Sequence, residues 1–334
     1  MAKWYLTDGD QKDVVISTRI RLARNIRGYA FPWRLDIPSR ISLNEKIIKA
    51  SQEENLGLKS INMKELTAFQ AASLAERRLI SPEFASDPDG RALLISEDED
   101  ISIMLCEEDH IRLQVIRSGL SLEQAYEKAN EIDDKLSKHL NFAFDERLGF
   151  LTEKPVNLGT GMRASVLLHL PALEAAGQMQ ALISTVSKLG LSVSRAFGHG
   201  NEPVGAYYRL SNQLTLGISE NAAIQNLKSI TNQIINQERA ARKEYISSVA
   251  GQDKIFRALG VLKNARLLTA NELLNLLSFV RLGAASGLVE TNTGVLDEMM
   301  FSMQPATINT CKGVKLDKSE RDKERADMVR SKLE

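Results

Sequence analysis

Short runs of alternating apolar and polar residues dominate the first part of the chain, and helical spacing dominates the last. The segment DVVISTRIRLARN (13–25) begins as a β-branched, alternating run, the period of a strand with one buried face. Residues 91–116, RALLISEDEDISIMLCEEDHIRLQVI, divide into three short strands at two acidic turns. Ile101, Ile103 and Leu105 share one side of the middle strand, and Ile111, Leu113 and Val115 share one side of the next. Connections this short join antiparallel neighbours, because a parallel crossover needs a much longer link. A helix is predicted over 121–142, opened by Ser121 with Gln124 three residues on, the pattern of a capping box. A second long helix is predicted from Arg163 to Lys188, kinked or divided by Pro171. Two more strands, within 191–197 and 205–217, flank a glycine-rich polar loop. From residue 219 strand signals nearly vanish: Ala223, Leu227, Ile230, Ile234 and Ile235 repeat at helical spacing. Helical patterns then continue to a highly charged end, which predicts a boundary near 235–250 and units of 1–240 and 241–334.

Composition narrows the partners. The 334 residues carry 43 Lys+Arg against 43 Asp+Glu, a formal charge of zero. A protein whose main partner is nucleic acid shows a surplus of basic residues, so that class is set aside, although a local basic pocket is not. Cys106 and Cys311 lack zinc-ligand spacing and read as two reduced thiols of a cytosolic protein. The opening MAKWYLTDGDQKD is too polar for a signal peptide, and apolar runs such as ASVLLHLPALEAAG are too short to span a bilayer. The expectation is a soluble cytoplasmic protein without nucleic-acid or membrane partners, and no metal-ligand cluster is assigned.

The residues that carry chemistry are acids at one turn and arginines scattered elsewhere. CEEDHIRL (106–113) places Glu107, Glu108 and Asp109 side by side. Such carboxylates repel when ionised unless cations balance them or water solvates the turn. His110 reads first as a turn or core histidine. Read functionally, one glutamate binds or deprotonates a cationic substrate while Arg112 meets an anion. Arg19 and Arg21, two apart in a strand, leave the same face. Arg163 is expected at a helix start, where backbone N–H groups favour anions. The loop KPVNLGTGMRAS (154–165) is glycine-rich but has no GxxxxGK[ST]. Four arginines converging on one triphosphate, each able to fork onto phosphate oxygens, would replace the missing lysine.

Together, VVISTRIRLARN, CEEDHIRLQ, NLGTGMRASV and SNQLTLG resemble the phosphagen (guanidino) kinase superfamily, and within it the bacterial protein-arginine kinases. The resemblance covers nearly the whole chain in order and spacing. It implies an α+β fold: an antiparallel sheet flanked by helices, followed by an all-helical C-terminal domain. It also implies transfer of the ATP γ-phosphoryl group to arginine side chains of proteins, in stress response and protein quality control. ATP and Mg²⁺ would be bound. Glu108 would hold the guanidinium and act as base, with Glu107 beside it as a second catalytic acid. The nucleotide would be held by Ser17, Thr18, Arg19, Ile20 and Arg21, by Arg78 and Arg112, and by Arg163, Ala164, Ser165, Val166 and Leu167. Ser194, Arg195, Ala196, Phe197, Gly198 and His199 would complete its site. The C-terminal RDKERA would bind phosphoarginine through Arg321, Asp322, Arg325 and Ala326. A homodimer, a zinc-binding activator and Clp-protease machinery are the partners the resemblance implies, besides protein substrates presenting arginine.

The chain departs from the family pattern at four positions. Lys154 stands where the family has cysteine before Pro-x-Asn, and His199 where it has a second substrate-binding glutamate. Ser194 replaces an arginine, with Arg195 one place later, and Arg78 replaces a histidine. One reading is a working kinase with a rewired site, in which Arg195 or Arg78 restores a phosphate contact and Glu202 or His199 a substrate contact. The other is a pseudokinase or weak kinase acting as a nucleotide- or phosphoarginine-binding adaptor. Lys154 would repel a docking guanidinium unless Glu107 or Glu108 engages it. The lack of a kinase glycine-rich loop, HRD and DFG motifs speaks against a third class, a Ser/Thr/Tyr kinase.

Overall fold

The computed structural model describes residues 3–198 and 204–333; His199 and Glu202 lie outside them. Its strands are β1 (Val15–Arg24), β2 (Lys59–Asn62), β3 (Ala92–Ile95), β4 (Ile101–Leu105), β5 (Ile111–Ser118), the short ribbon β6 (Phe144–Asp145) and β7 (Gly149–Phe150), then β8 (Met162–His169), β9 (Leu191–Arg195) and β10 (Tyr207–Asn212). The helices are α1 (Ile37–Glu53), α2 (Ala68–Glu76), α3 (Pro82–Ser86), α4 (Leu122–Ser137), α5 (Pro171–Ala175), α6 (Met179–Lys188), α7 (Glu220–Ser247), α8 (Val249–Asn264), α9 (Ala270–Ala285), α10 (Thr293–Ser302), α11 (Pro305–Lys312) and α12 (Lys318–Leu333). Eight strands form one antiparallel sheet in the order β2-β3-β4-β5-β1-β8-β10-β9.

Strand alternation gives this sheet two unlike faces. Ile20 and Leu22 of β1, Ile111, Leu113 and Val115 of β5, and Ala164, Val166 and Leu168 of β8 enter one apolar core. Helix α4 packs there on β1 and β5, and α7 on β8 and β10. Each fully buried Leu or Ile stabilises this layer by about 1.5–3 kcal/mol. The other face carries arginines in its middle. Its far end is closed by the C-terminal helices, where Ile116, Leu167 and Tyr207 join Trp4, Leu277, Met299 and Phe301 in a second core. Helix α7, capped by the Ser219 side chain, runs unbroken through residue 240 to Ser247, and Ser248 caps α8.

Two expectations fail here. Residues 162–169 are a central strand, not the first turns of a helix, and helix resumes only at Pro171. The run MRASVLLH is buried on both faces along most of its length, so its near-continuous apolar character hides the period of two. Arg163 therefore leaves a strand, directly opposite Arg21, and no helix N-terminus lies behind it. Ser121 does begin α4, but no capping box forms and the helix ends at Ser137. Its hydroxyl instead donates to the Ser118 carbonyl at 3.1 Å, while its N–H donates to the Thr18 hydroxyl at 3.0 Å. The contact with β1 has replaced the local cap.

Candidate active site

Register brings the arginines together. Arg21 lies opposite Arg163 on one side and Gln114 on the other, Arg19 opposite Ser165 and Ile116, and Arg112 opposite Ala23. Because directly paired residues share a face, Arg19, Arg21, Arg112 and Arg163 all emerge on the arginine side of the sheet. Arg209 of β10, opposite Leu167 and Ser194, joins them. The sequence reading passed over Arg209. Alternation in YYRLSN, with Tyr207 and Ser211 on the same face, was the signal that could have found it.

Arg19, Arg21, Arg112 and Arg209 line a cleft of about 620 Å³ with Arg78, Glu107, Glu108, Ala196 and Phe197, while Arg163 lines an adjoining cavity that shares Arg21, Glu108 and Arg112 with it. Most of the cations have weak partners. Arg19 donates to Gln114 Oε1 at 3.3 Å, and Arg163 donates to Ser211 Oγ at 3.3 Å. Arg78 donates to the Ala196 carbonyl at 2.9 Å and lies over the Phe197 ring. The buried Nε groups of Arg21, Arg78 and Arg163 have no acceptor among the described residues. Burial, reinforced by Arg112, Arg163 and Arg209, pushes Arg21 down to about 9; burial and then Arg209 push Arg78 down to about 9. Burial and then neighbouring arginines depress Arg19, Arg163 and Arg209 in the same direction. Arginine keeps its proton at neutral pH, so the depression is carried as electrostatic stress that a polyanion would relieve.

The acidic turn at the cleft mouth divides its labour. Glu107 is buried, accepts from Ser81 Oγ at 2.7 Å and is ion-paired with Arg112. Burial opposes its charge, but Arg112 and Ser81 together hold its carboxyl below the usual range. Arg112 answers in kind: burial works against its charge, and Glu107, then Glu108 and Asp109, overcome this and raise it. Asp109 is structural. It accepts from Asn25 Nδ2 at 2.6 Å and from the Glu153 N–H at 2.8 Å, tying the turn to the 150s loop. His110 is also structural, accepting from the Ile26 N–H through Nδ1 at 2.9 Å while Nε2 meets the Ala30 carbonyl at 2.7 Å. Glu108 alone faces outward, 3.6 Å from Arg112 and ion-paired with Lys154.

The loop that looked like a phosphate cradle is packed shut. Gly159 has φ +101°, and a Cβ there would stand 2.2 Å from the Thr215 carbonyl oxygen; at Gly161 it would meet Arg24 and the Ala23 carbonyl. The N–H groups of Thr160, Met162 and Ala164 are already donated to Thr215 O, Thr160 Oγ1 and Asn212 Oδ1. The glycines permit close approach of backbone, and the positive charge comes from side chains.

Several expected contacts point elsewhere. Ile20, Ala164 and Val166 enter the opposite core, and Thr18 donates to the Gly119 carbonyl at 2.7 Å. Arg195, opposite Tyr208, lies against that ring and Glu174 on the helix side of the sheet, away from the face that carries the other arginines. Ser17, Ser165 and Leu167 remain on the arginine face, around a small cavity beside the main cleft. Gly198 lines the cleft itself. In the C-terminal motif, Arg325 and Ala326 are buried. Arg325 donates to the carbonyls of Met303 and Leu268 at 2.9 and 2.7 Å and pairs with Asp322 at 2.7 Å. Arg321 donates to the Leu316 carbonyl. Arg321 and Arg325 thus do not form an open fork one turn apart, because Arg325 is spent on fixing α12 to its neighbours. No sequence signal announced that Asn271, Leu274 and Gln304, from the helical region, line the cleft.

A cleft in which most arginines lack a carboxylate partner, beside an outward glutamate, suits transfer of a phosphoryl group to a cation. Residues 41–241 match the family described as ATP:guanido phosphotransferase, C-terminal catalytic domain, which defines the class. Residues 249–334 match the protein-arginine kinase McsB C-terminal domain. The chain is 40% identical over its whole length to a protein-arginine kinase of Halothermothrix orenii, covering 97% of that relative, and 41% identical to one of Geobacillus stearothermophilus, covering 94%. It belongs to the protein-arginine kinase family. Among solved structures, it is similar to a duplicated taurocyamine kinase of Schistosoma mansoni with bound transition-state-analogue components, at TM-score 0.63 and 29% identity over 72% of this chain and 35% of that one. A lombricine kinase shares the fold, at TM-score 0.62 and 24% identity over 73% and 70%. Among the described residues no helix is long and apolar enough to cross a membrane.

Proposed function

We propose that this cleft transfers the γ-phosphoryl group of ATP to the guanidinium of an arginine in a protein substrate. The observation that carries the reading is the row of arginines without carboxylate partners, Arg19, Arg21 and Arg209 in the cleft and Arg163 in the cavity that meets it at Glu108. The donor set fits a triphosphate: planar guanidinium forks with buried, unpaired Nε groups. No group of three metal-ligating side chains exists among the described residues, so Mg²⁺ would be held chiefly by the phosphates, as is usual for that ion. Positioning and charge neutralisation supply most of the rate in such transfers.

A guanidinium is protonated and delocalised at pH 7, and must shed a proton to become a nucleophile. Glu108 is the carboxylate placed to pair with it and take that proton; Glu107, held by Arg112 and Ser81, fixes the turn. The nitrogen then bonds to phosphorus as the bond to the ADP oxygen breaks, and Arg21, Arg163 and Arg209 balance the charge. Relatives of full length carry the protein-arginine kinase name, and nothing favours the adaptor reading over this one. Stress response, a cytoplasmic setting, a dimer and the activator and protease partners rest on the family resemblance alone. The test is Glu108→Gln with ATP and an arginine-rich protein: acid-labile phosphoarginine should fall by about 10²–10⁴ while ATP still binds. Undiminished phosphoarginine would remove Glu108 from this role.

A further inference from the structure

Lys154 is set on the outward acid of the cleft, which among the described residues it shares with Arg112 at 3.6 Å. Its ammonium is ion-paired with Glu108, and its side chain is 52% exposed against 28% for Glu108. The pair stands at the mouth of a second cavity of about 250 Å³, lined by Arg21, Arg112, Arg163, Glu108 and Lys154. Glu108 and Arg112 also line the main cleft, so the two spaces meet at this carboxylate. The position of Lys154 is held from behind. Asp109 fixes the Glu153 N–H, and the Thr152 hydroxyl donates to the Lys154 carbonyl at 2.9 Å. Glu108 is the only acidic side chain within ion-pair distance of the ammonium among the described residues.

We infer that Lys154 determines substrate choice: its ammonium occupies the guanidinium position on Glu108, and an arginine substrate must displace it. This rests on the function proposed above. The charge count shows what substrate suits the exchange. At rest Glu108 and Lys154 cancel. When a guanidinium takes Glu108, the freed ammonium loses the one carboxylate that the described residues offer it. A substrate that brings a carboxylate next to its arginine supplies the missing partner. The chemistry therefore selects arginines flanked by Asp or Glu over arginines in neutral sequence. The effect falls on binding, because Lys154 competes in the ground state and leaves once substrate is seated.

Steady-state phosphorylation of two peptides by wild type and Lys154→Ala tests this, one peptide with its arginine between acidic residues and one with it between glycine and serine. Wild type should show a KM about fivefold lower for the acidic peptide, the worth of one partly exposed ion pair. In Lys154→Ala the neutral peptide's KM should fall to the acidic peptide's value and the preference should vanish; Lys154→Arg should retain it. An acidic-peptide preference unchanged in Lys154→Ala, or a neutral-peptide KM that does not fall, would overturn the inference while leaving the kinase reading intact. Absence of phosphoarginine from both peptides with every enzyme would instead take down the proposed function, and this inference with it.

Discussion

Arginines are withdrawn from solvent in two regions of this protein, and the regions treat them in opposite ways. In the interior, Arg24 faces Asp133 at 3.0 Å, Arg242 faces Glu238 at 2.9 Å and Arg281 faces Asp297 at 2.7 Å. Arg281 also donates to the carbonyls of Lys12 and Asp13, which tie the N-terminal segment to α9. Although burial works against it, Asp297 and further partners raise Arg281 above its ordinary value. On the arginine face, Arg19, Arg21, Arg78, Arg163 and Arg209 have no carboxylate within ion-pair distance among the described residues, and all are depressed by burial and then by neighbouring arginines. A buried cation with its counter-ion in the fold holds the fold together. One without it stores a demand for an anion from outside, at a cost in stability to the empty protein.

The contrast can be broken by exchanging the two roles. Arg281→Met leaves Asp297 buried and unpaired and should cost about 3–5 kcal/mol in denaturant unfolding, most of it recovered by adding Asp297→Leu. A loss of under 1 kcal/mol would mean that the interior pair is not structural. Arg21→Met or Arg163→Met removes an unpaired charge, so ATP affinity measured by titration calorimetry should fall about 10- to 100-fold. The empty protein should be no less stable than wild type, and a drop in its melting temperature would erase the distinction between the two sets.

A smaller effect sharpens the same contrast through pH. Burial, then Arg281 and Arg242, hold His169 well below its ordinary value, so it is neutral when folded and gains a proton only on unfolding. A depressed folded value means that stability is intact above the unfolded value of roughly 6.5 and declines as pH drops beneath it. The decline attributable to this one group is at most about 1.4 kcal/mol per pH unit. Unfolding curves of His169→Gln between pH 7 and 5 should be flatter than those of wild type by up to that amount; parallel curves would show that His169 accepts a proton within the fold.

Much of this site was legible as sequence. Arg19 and Arg21, two apart in an alternating run, had to share a face, and the spacing of 91–116 put Arg112 on a strand just past the acidic turn, but only the register shows that strand beside β1. Arg163 was picked out by its motif but given the wrong surroundings, since a strand buried on both faces loses the period that separates it from a helix. Arg325 was picked out by its motif too, and only packing shows that Met303, Leu268 and Asp322 already occupy it. Arg209 was missed although its strand alternates, because nothing local says which strand will lie next to β8.

By itself, the sequence determined the periods of its elements, the antiparallel hairpins, the family and the residue types that do the chemistry, because these follow from local spacing and motif. The tertiary structure alone decided which charges are cancelled. Register put Arg21 opposite Arg163 with no acid nearby, Asp109 drew in the loop that sets Lys154 on Glu108, and α9 brought Arg281 to Asp13 and His169. Electrostatic pairing depends on distance in space and on the water excluded around it, and neither can be read from separation along the chain.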